Sequence, residues 1–264
     1  MVDDEQTHHQ GLQQDLRLLA TRTDRRQLLR WMAFTSLIPL VGCGGEDTGG
    51  GDASECSQIP QETAGPYPGD GSNGANALVL SGIVRSDLRS SIAGASGVAE
   101  GVPLTVTLTL VDSSDGCTPL AGHAIYLWHC DRAGLYSMYS SGVTQENYLR
   151  GVQETDSEGR VTFTSIFPAC YSGRWPHIHF EVYPSLGAAT SSGNKLATSQ
   201  LALPEDVCDE VFATTGYSQS VRNLGQISLS SDNVFRDGVS SQLASVTGNT
   251  SDGYFATLVV GITR

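Results

Sequence analysis

Past the middle of the chain, HIHFEVY (177–183) sets two histidines one residue apart. Side chains alternate between faces along a strand, so His177, His179, Glu181 and Tyr183 share one face. Ile178, Phe180 and Val182 share the other, which reads as the core side. Two imidazoles side by side can hold a single metal ion, and imidazole is the commonest protein metal ligand. A bare histidine pair more often marks a polar, solvated strand face, so the neighbouring residues decide. Tyr171 and Arg174 precede the pair in PACYSGRW (168–175), and Tyr136 lies in GLYS (134–137). Phenolate oxygen together with imidazole nitrogen suits a hard trivalent ion such as Fe(III). A phenol has a pKa of about 10 in water, so a cation must hold it ionised, which a bound metal does readily. Two phenolates would favour ferric over ferrous iron and leave room for a substrate that chelates through two atoms.

Those residues need elements to hold them. LVLSGIV (78–84), LTVTLTLVD (104–112), HAIYLWHCD (123–131), GRVTFTSIF (159–167), HIHFEVY (177–183), LATSQLAL (196–203) and FATLVVGIT (255–263) read as strands. In the second of these Leu104, Val106, Leu108 and Leu110 fall on one face with threonines opposite. SSDGCTPLAG (113–122) is rich in turn residues, and RAGLYSMYSSG (132–142) reads as a loop. PEDVCDEVFAT (204–214) is the one short helix expected, with Pro204 at its start and acids in its first turn. Strands spaced this way predict an all-β fold, a β-sandwich with one short helix and long loops, and loops at the end of a sandwich commonly carry the site.

Composition agrees with that class. The 264 residues hold 30 glycines and a single lysine, Lys195, and the net charge is −13. A chain this acidic lacks the basic patch that nucleic acid requires and draws no attraction from an anionic membrane surface.

The first residues read as an address rather than as fold. The pair Arg25–Arg26 precedes the apolar stretch WMAFTSLIPLVG (31–42), followed by Cys43. Twelve residues are too few for a spanning helix, which needs about 20, but they match the core of an export signal. A twin arginine ahead of it fits the Tat route, which carries folded proteins. LVGC resembles a lipobox, making Cys43 the expected lipid attachment point. The expected organisation is a signal over 1–42, a flexible Gly-rich tether over 43–60 and a sandwich domain over 61–264. The lipid would be the only membrane contact, with the domain in the cell envelope. Five further cysteines, Cys56, Cys117, Cys130, Cys170 and Cys208, include no C-x-x-C pair. In an oxidising compartment two disulfides and one leftover thiol are expected.

WHCDRAGLYS, NYLRGVQETDSEGRVTFTSIFPACY and RWPHIHF, in that order, resemble the intradiol ring-cleavage dioxygenases, the family of protocatechuate and catechol dioxygenases. ETAGPYP (62–68) resembles the segment that opens their catalytic domain, and the resemblance runs from about Glu62 to about Asp237. It implies a β-sandwich and a non-haem Fe(III) held by Tyr136, Tyr171, His177 and His179, with Arg174 as an active-site arginine. It further implies that a small aromatic diol and O2 are the substrates. The ring opens between its two hydroxyl-bearing carbons to a muconate-type diacid. Tyr171 would leave the metal and take up a proton, Tyr136 would stay bound, and Arg174 would stabilise developing negative charge. Only five residues separate Tyr171 from His177, fewer than in the well-known aromatic-degrading members, which suggests a more open mouth. The acidic surface points to neutral catechols rather than benzoates.

Other readings stay open at this level. The same sandwich could serve as a binding lipoprotein without turnover, and Glu181 with the two histidines could form the two-His-one-carboxylate set of Fe(II) chemistry. Tyr136 and Tyr171 could be packing residues, and Arg174 could form a surface pair with Glu181 or Asp131. His123 and His129 read as structural. Sequence leaves the oligomeric state unknown.

Overall fold

The computed structural model describes residues 57–263. Its longest alternating segment forms β1 (Pro103–Asp112), in which Leu104, Val106, Leu108 and Leu110 are at most 1% exposed while the threonines between them are partly open. Burying a side chain of this size is worth roughly 1.5–3 kcal/mol, so this register is strongly specified. β1 lies antiparallel to β2 (Thr118–Pro119) and β5 (Arg160–Ile166), and parallel to β9 (Gly253–Ile262), which pairs in turn with β8 (Ser245–Asn249). A second, four-stranded sheet has the order β4 (Arg150–Glu154), β3 (Ala124–Trp128), β6 (His177–Tyr183), β7 (Ala197–Ala202). Between the sheets, the β1 residues meet Ile125, Leu127, Phe163, Ile178, Phe180 and Val182 in one apolar core. The chain is therefore the expected two-sheet, mostly β structure.

The second sheet is buried on both faces. All seven residues of β6 are buried. Its polar face meets a second cluster, in which Tyr126, Trp128, Val152 and Tyr183 pack against Leu78, Ile83, Tyr136 and Ala169. The solvated strand face that a bare histidine pair would suggest is instead a floor roofed by loops. At its far end the polar groups are satisfied by partners: the Tyr183 hydroxyl donates to Glu181 (2.7 Å), and Lys195 Nζ contacts the same carboxylate (2.6 Å).

Several expectations need correction. Residues 78–84 form no strand but successive turns, closed by Leu80 N–H to Ala77 O (3.0 Å) and Ile83 N–H to Leu80 O (3.1 Å). Leu78 and Ile83 point inward while Val79 and Val84 are exposed, a spacing that suits turns and not a pleat. Among the described residues two α-helices are present rather than one: α1 (Glu205–Phe212), as expected, and α2 (Ser218–Leu224). Strands β2, within the segment read as turns, β4 and β8 were also not anticipated. Two disulfides do not form, since Cys130, Cys170 and Cys208 are free thiols in the interior, whereas Cys117 is disulfide-bonded. The Sγ atoms of Cys130 and Cys170 are instead taken up by the carbonyls of Ala169 (3.7 Å) and Arg174 (3.4 Å). Cys43 and Cys56, with the signal and most of the tether, lie outside the described residues. Among the described residues no helix is long and apolar enough to cross a membrane.

Candidate active site

The histidine pair is held from both sides. The Nδ1 of His177 is 2.5 Å from the carbonyl of Trp175. A carbonyl only accepts, so Nδ1 carries the proton and Nε2 presents its lone pair. That nitrogen lies 3.1 Å from Nε2 of His179. His179 stacks on Trp128, its cross-strand neighbour, with centroids 4.9 Å apart and planes at 6°. Burial first, and then Arg174 for His177 and His177 for His179, push both imidazoles well below their usual range. They are thus neutral, the form that binds a metal.

The loops over this floor bring both tyrosines to the pair. The Tyr171 hydroxyl is 3.3 Å from His177 Nε2. Tyr136 stands edge-on to Tyr171 (5.9 Å, 74°) and to His179 (6.3 Å, 64°). It is 3% exposed, and its hydroxyl has no hydrogen-bond partner. A buried orphan hydroxyl costs roughly 1–3 kcal/mol. Burial first, and then the Tyr171 phenol, push Tyr136 well above the ordinary range, so its proton leaves only if a cation arrives. Gly134 makes the approach of the two loops possible. Its φ is +84°, and a Cβ there would sit 3.2 Å from Tyr171 Cβ.

Helix α2, unforeseen in the sequence, anchors the segment that carries Tyr171. Ser220 Oγ accepts from the Cys170 N–H (3.0 Å), and Asn223 Nδ2 donates to the Cys170 carbonyl (2.8 Å).

Arg174 is interior, not a surface residue, and pairs with neither Glu181 nor Asp131. Its Nε donates to Asp232 Oδ2 (2.9 Å) and its Nη2 to Gln200 Oε1 (2.6 Å). Gln200 lies opposite His179 on the ladder and donates onward to the Thr63 carbonyl (2.9 Å). Asp131 instead accepts from the Tyr148 hydroxyl (3.1 Å). Sequence reasoning missed Asp232 and Gln200, and only the long-range pairing of the chain reveals them. His129 is saturated by the Cys130 carbonyl (2.8 Å) and Ser165 Oγ (2.7 Å), and His123 contacts the Ala121 carbonyl (3.3 Å).

A carboxylate beside this arginine carries a testable pH effect. Glu62 is pushed from the ordinary 4.5 to about 7, by burial first and Asp237 second, against the opposing pull of Gln242 and Arg174. The folded state then binds more protons than the unfolded one between those values, so this group makes stability fall as pH rises from 4.5 to about 7. Glu62→Gln should remove that fall, as read by denaturant midpoints across the window.

The donor set fits a hard trivalent ion: two neutral imidazoles, two phenols, and one phenol oxygen with nothing else to bond. It does not fit a two-His-one-carboxylate site. Glu181 is engaged by Tyr183 and Lys195, and among the described residues no three His, Cys, Asp or Glu side chains cluster.

Comparison with known proteins sets this two-sheet sandwich and its roofed His–Tyr floor beside dioxygenases. Residues 85–189 match the family described as Dioxygenase. An intradiol ring-cleavage dioxygenase from Tetranychus urticae is 26% identical, with 79% of this chain and 95% of that chain covered, at a TM-score of 0.62. The dioxygenase Tetur07g02040 is 25% identical over the same shares, at a TM-score of 0.61. Residues 85–189 thus form a dioxygenase-type region in a fold similar to that of intradiol ring-cleavage dioxygenases, and these likenesses support an enzyme of that type.

Proposed function

We propose that this enzyme opens a catechol-type diol with O2 at a non-haem Fe(III) held by Tyr136, Tyr171, His177 and His179, releasing a muconate-type diacid. The observation that carries the reading is the Tyr136 hydroxyl, buried and without a partner, on a ring that stands edge-on to His179, whose Nε2 is 3.1 Å from that of His177. When bound, ferric iron supplies Lewis acidity and a template for both diol oxygens. The protein's part follows from its own side chains. The imidazoles arrive neutral and oriented. Tyr136 is enclosed and suited to a fixed role as a ligand, whereas Tyr171 is only partly buried and would be placed to accept the diol's proton. Arg174, locked by Asp232 and Gln200, keeps a positive charge beside the pair where negative charge develops on the ring. The acidic surface favours neutral catechols. Oxygen uptake and product analysis over a panel of neutral and carboxylated catechols test this. Ring-opened diacid is expected with neutral members, and binding without oxygen uptake would refute it.

We also propose that the enzyme works in the cell envelope, tethered through a lipid on Cys43. The twin arginine, short apolar stretch and cysteine support this, and so does the disulfide at Cys117, since such bonds persist in oxidising compartments. Cys43→Ser should move the protein from the membrane fraction to the released fraction. Unchanged membrane association would refute the anchor.

A further inference from the structure

Arg150 is 1% exposed and forms no ion pair among the described residues. All five of its N–H donors are nonetheless used. Nη1 donates to the Pro68 carbonyl (2.8 Å) and the Tyr126 hydroxyl (3.0 Å). Nη2 donates to the carbonyls of Tyr67 (3.0 Å) and Ser137 (2.9 Å), and Nε to Ser137 Oγ (3.1 Å). Every acceptor is neutral. A buried charge with no counter-charge is costly, and a neutral side chain would fill a core more cheaply. The contacts show what the guanidinium does. Two of them grip Ser137, the residue after Tyr136, and two grip the segment whose Tyr67 ring lies 5.2 Å from the Tyr136 ring.

The backbone around this clamp is strained on both sides. Met138 (φ +72°), after Ser137, and Leu149 (φ +56°), before Arg150, are left-handed without being glycine. Such residues persist only where the surroundings over-determine them. Gly69 (φ +61°) gives the guanidinium room, since a Cβ there would lie 2.8 Å from Nη1.

From this geometry we infer that Arg150 is a positioning residue for the metal-binding phenol of Tyr136. Its planar fork ties the Tyr136 loop to the 66–69 segment and so holds the Tyr136 ring edge-on to Tyr171 and His179. This rests on the ferric site proposed above and assigns Arg150 a role in it.

The test is Arg150→Lys in two backgrounds. In Tyr171→Phe only the Tyr136 phenolate can colour the ferric protein, and in Tyr136→Phe only that of Tyr171. Arg150→Lys should shift or weaken the visible band in the first background and leave it unchanged in the second. Half-saturation with iron should rise about 10–100-fold, the usual cost of losing an outer-sphere partner. Should the lysine variant not fold, Ser137→Ala, which removes one arm of the clamp, should give the same asymmetry at smaller size. Equal effects in both backgrounds, accompanied by a lowered thermal midpoint, would make Arg150 a general core residue and overturn the inference. Parent protein that binds ferric iron without a visible band would overturn the site itself.

Discussion

Tyr136→Phe should leave the metal-free protein folded and no less stable than the parent, while iron affinity and ring cleavage fall by more than the roughly 100-fold that loss of an outer-sphere partner costs. The substitution removes one oxygen and keeps the ring that packs on Tyr67 and Tyr171. That oxygen is buried and unpartnered, so its removal relieves a desolvation penalty of roughly 1–3 kcal/mol. A hydroxyl kept for stability would give the opposite sign. Stability rising while function collapses is the signature of a group held for its chemistry. Chemical denaturation of the metal-free protein, with oxygen uptake of the iron-loaded protein, reads both halves. A Phe variant that is destabilised yet still turns over would assign Tyr136 to packing.

The second large effect is on folding. Asp232→Ala should destabilise the domain by about 3–5 kcal/mol, the usual result of leaving a buried charge without its partner. Asp232 is 0% exposed. It accepts from Arg174 Nε (2.9 Å) and the Trp175 N–H (2.7 Å) through Oδ2, and from the N–H groups of Val234 (2.8 Å) and Phe235 (3.2 Å) through Oδ1. Truncation strands all four donors. For a domain of this size the loss corresponds to roughly 6–20 °C in Tm, measurable by scanning calorimetry. Asp232→Asn should lose less, because its amide oxygen can still accept at one edge. A Tm change within a degree or two for the alanine variant would mean that Arg174 is held by other partners.

The two kinds of residue differ in how far sequence exposes them. β1 and β6 were legible because strict alternation over seven to ten residues leaves one register that buries the apolar set. The four candidate ligands were legible as residue types in short motifs; alternation alone places His177 and His179 on one face, whereas Tyr136 and Tyr171 reach them through loop packing and helix α2. The roof over that floor was not legible. Residues 78–84 contain enough Val, Leu and Ile to pass for a strand, yet their inward and outward residues follow a turn's spacing. Helix α2 (SQSVRNL) is only seven residues long, too short to be stable by propensity alone, and owes its place to the Cys170 backbone that it satisfies. Asp232 sits 58 residues from Arg174 along the chain, and no local pattern links an acid to an arginine over that distance. Arg150 was visible only as part of a quoted motif. Its burial among five neutral acceptors is a property of the assembled loops.

The most direct test of the account is the visible absorption of the protein titrated with ferric iron, alongside a Tyr136→Phe, Tyr171→Phe double variant. Phenolate coordination predicts a red-brown band that saturates at one equivalent of iron in the parent and is absent in the double variant. Iron bound without colour, or colour that survives loss of both phenols, would contradict it.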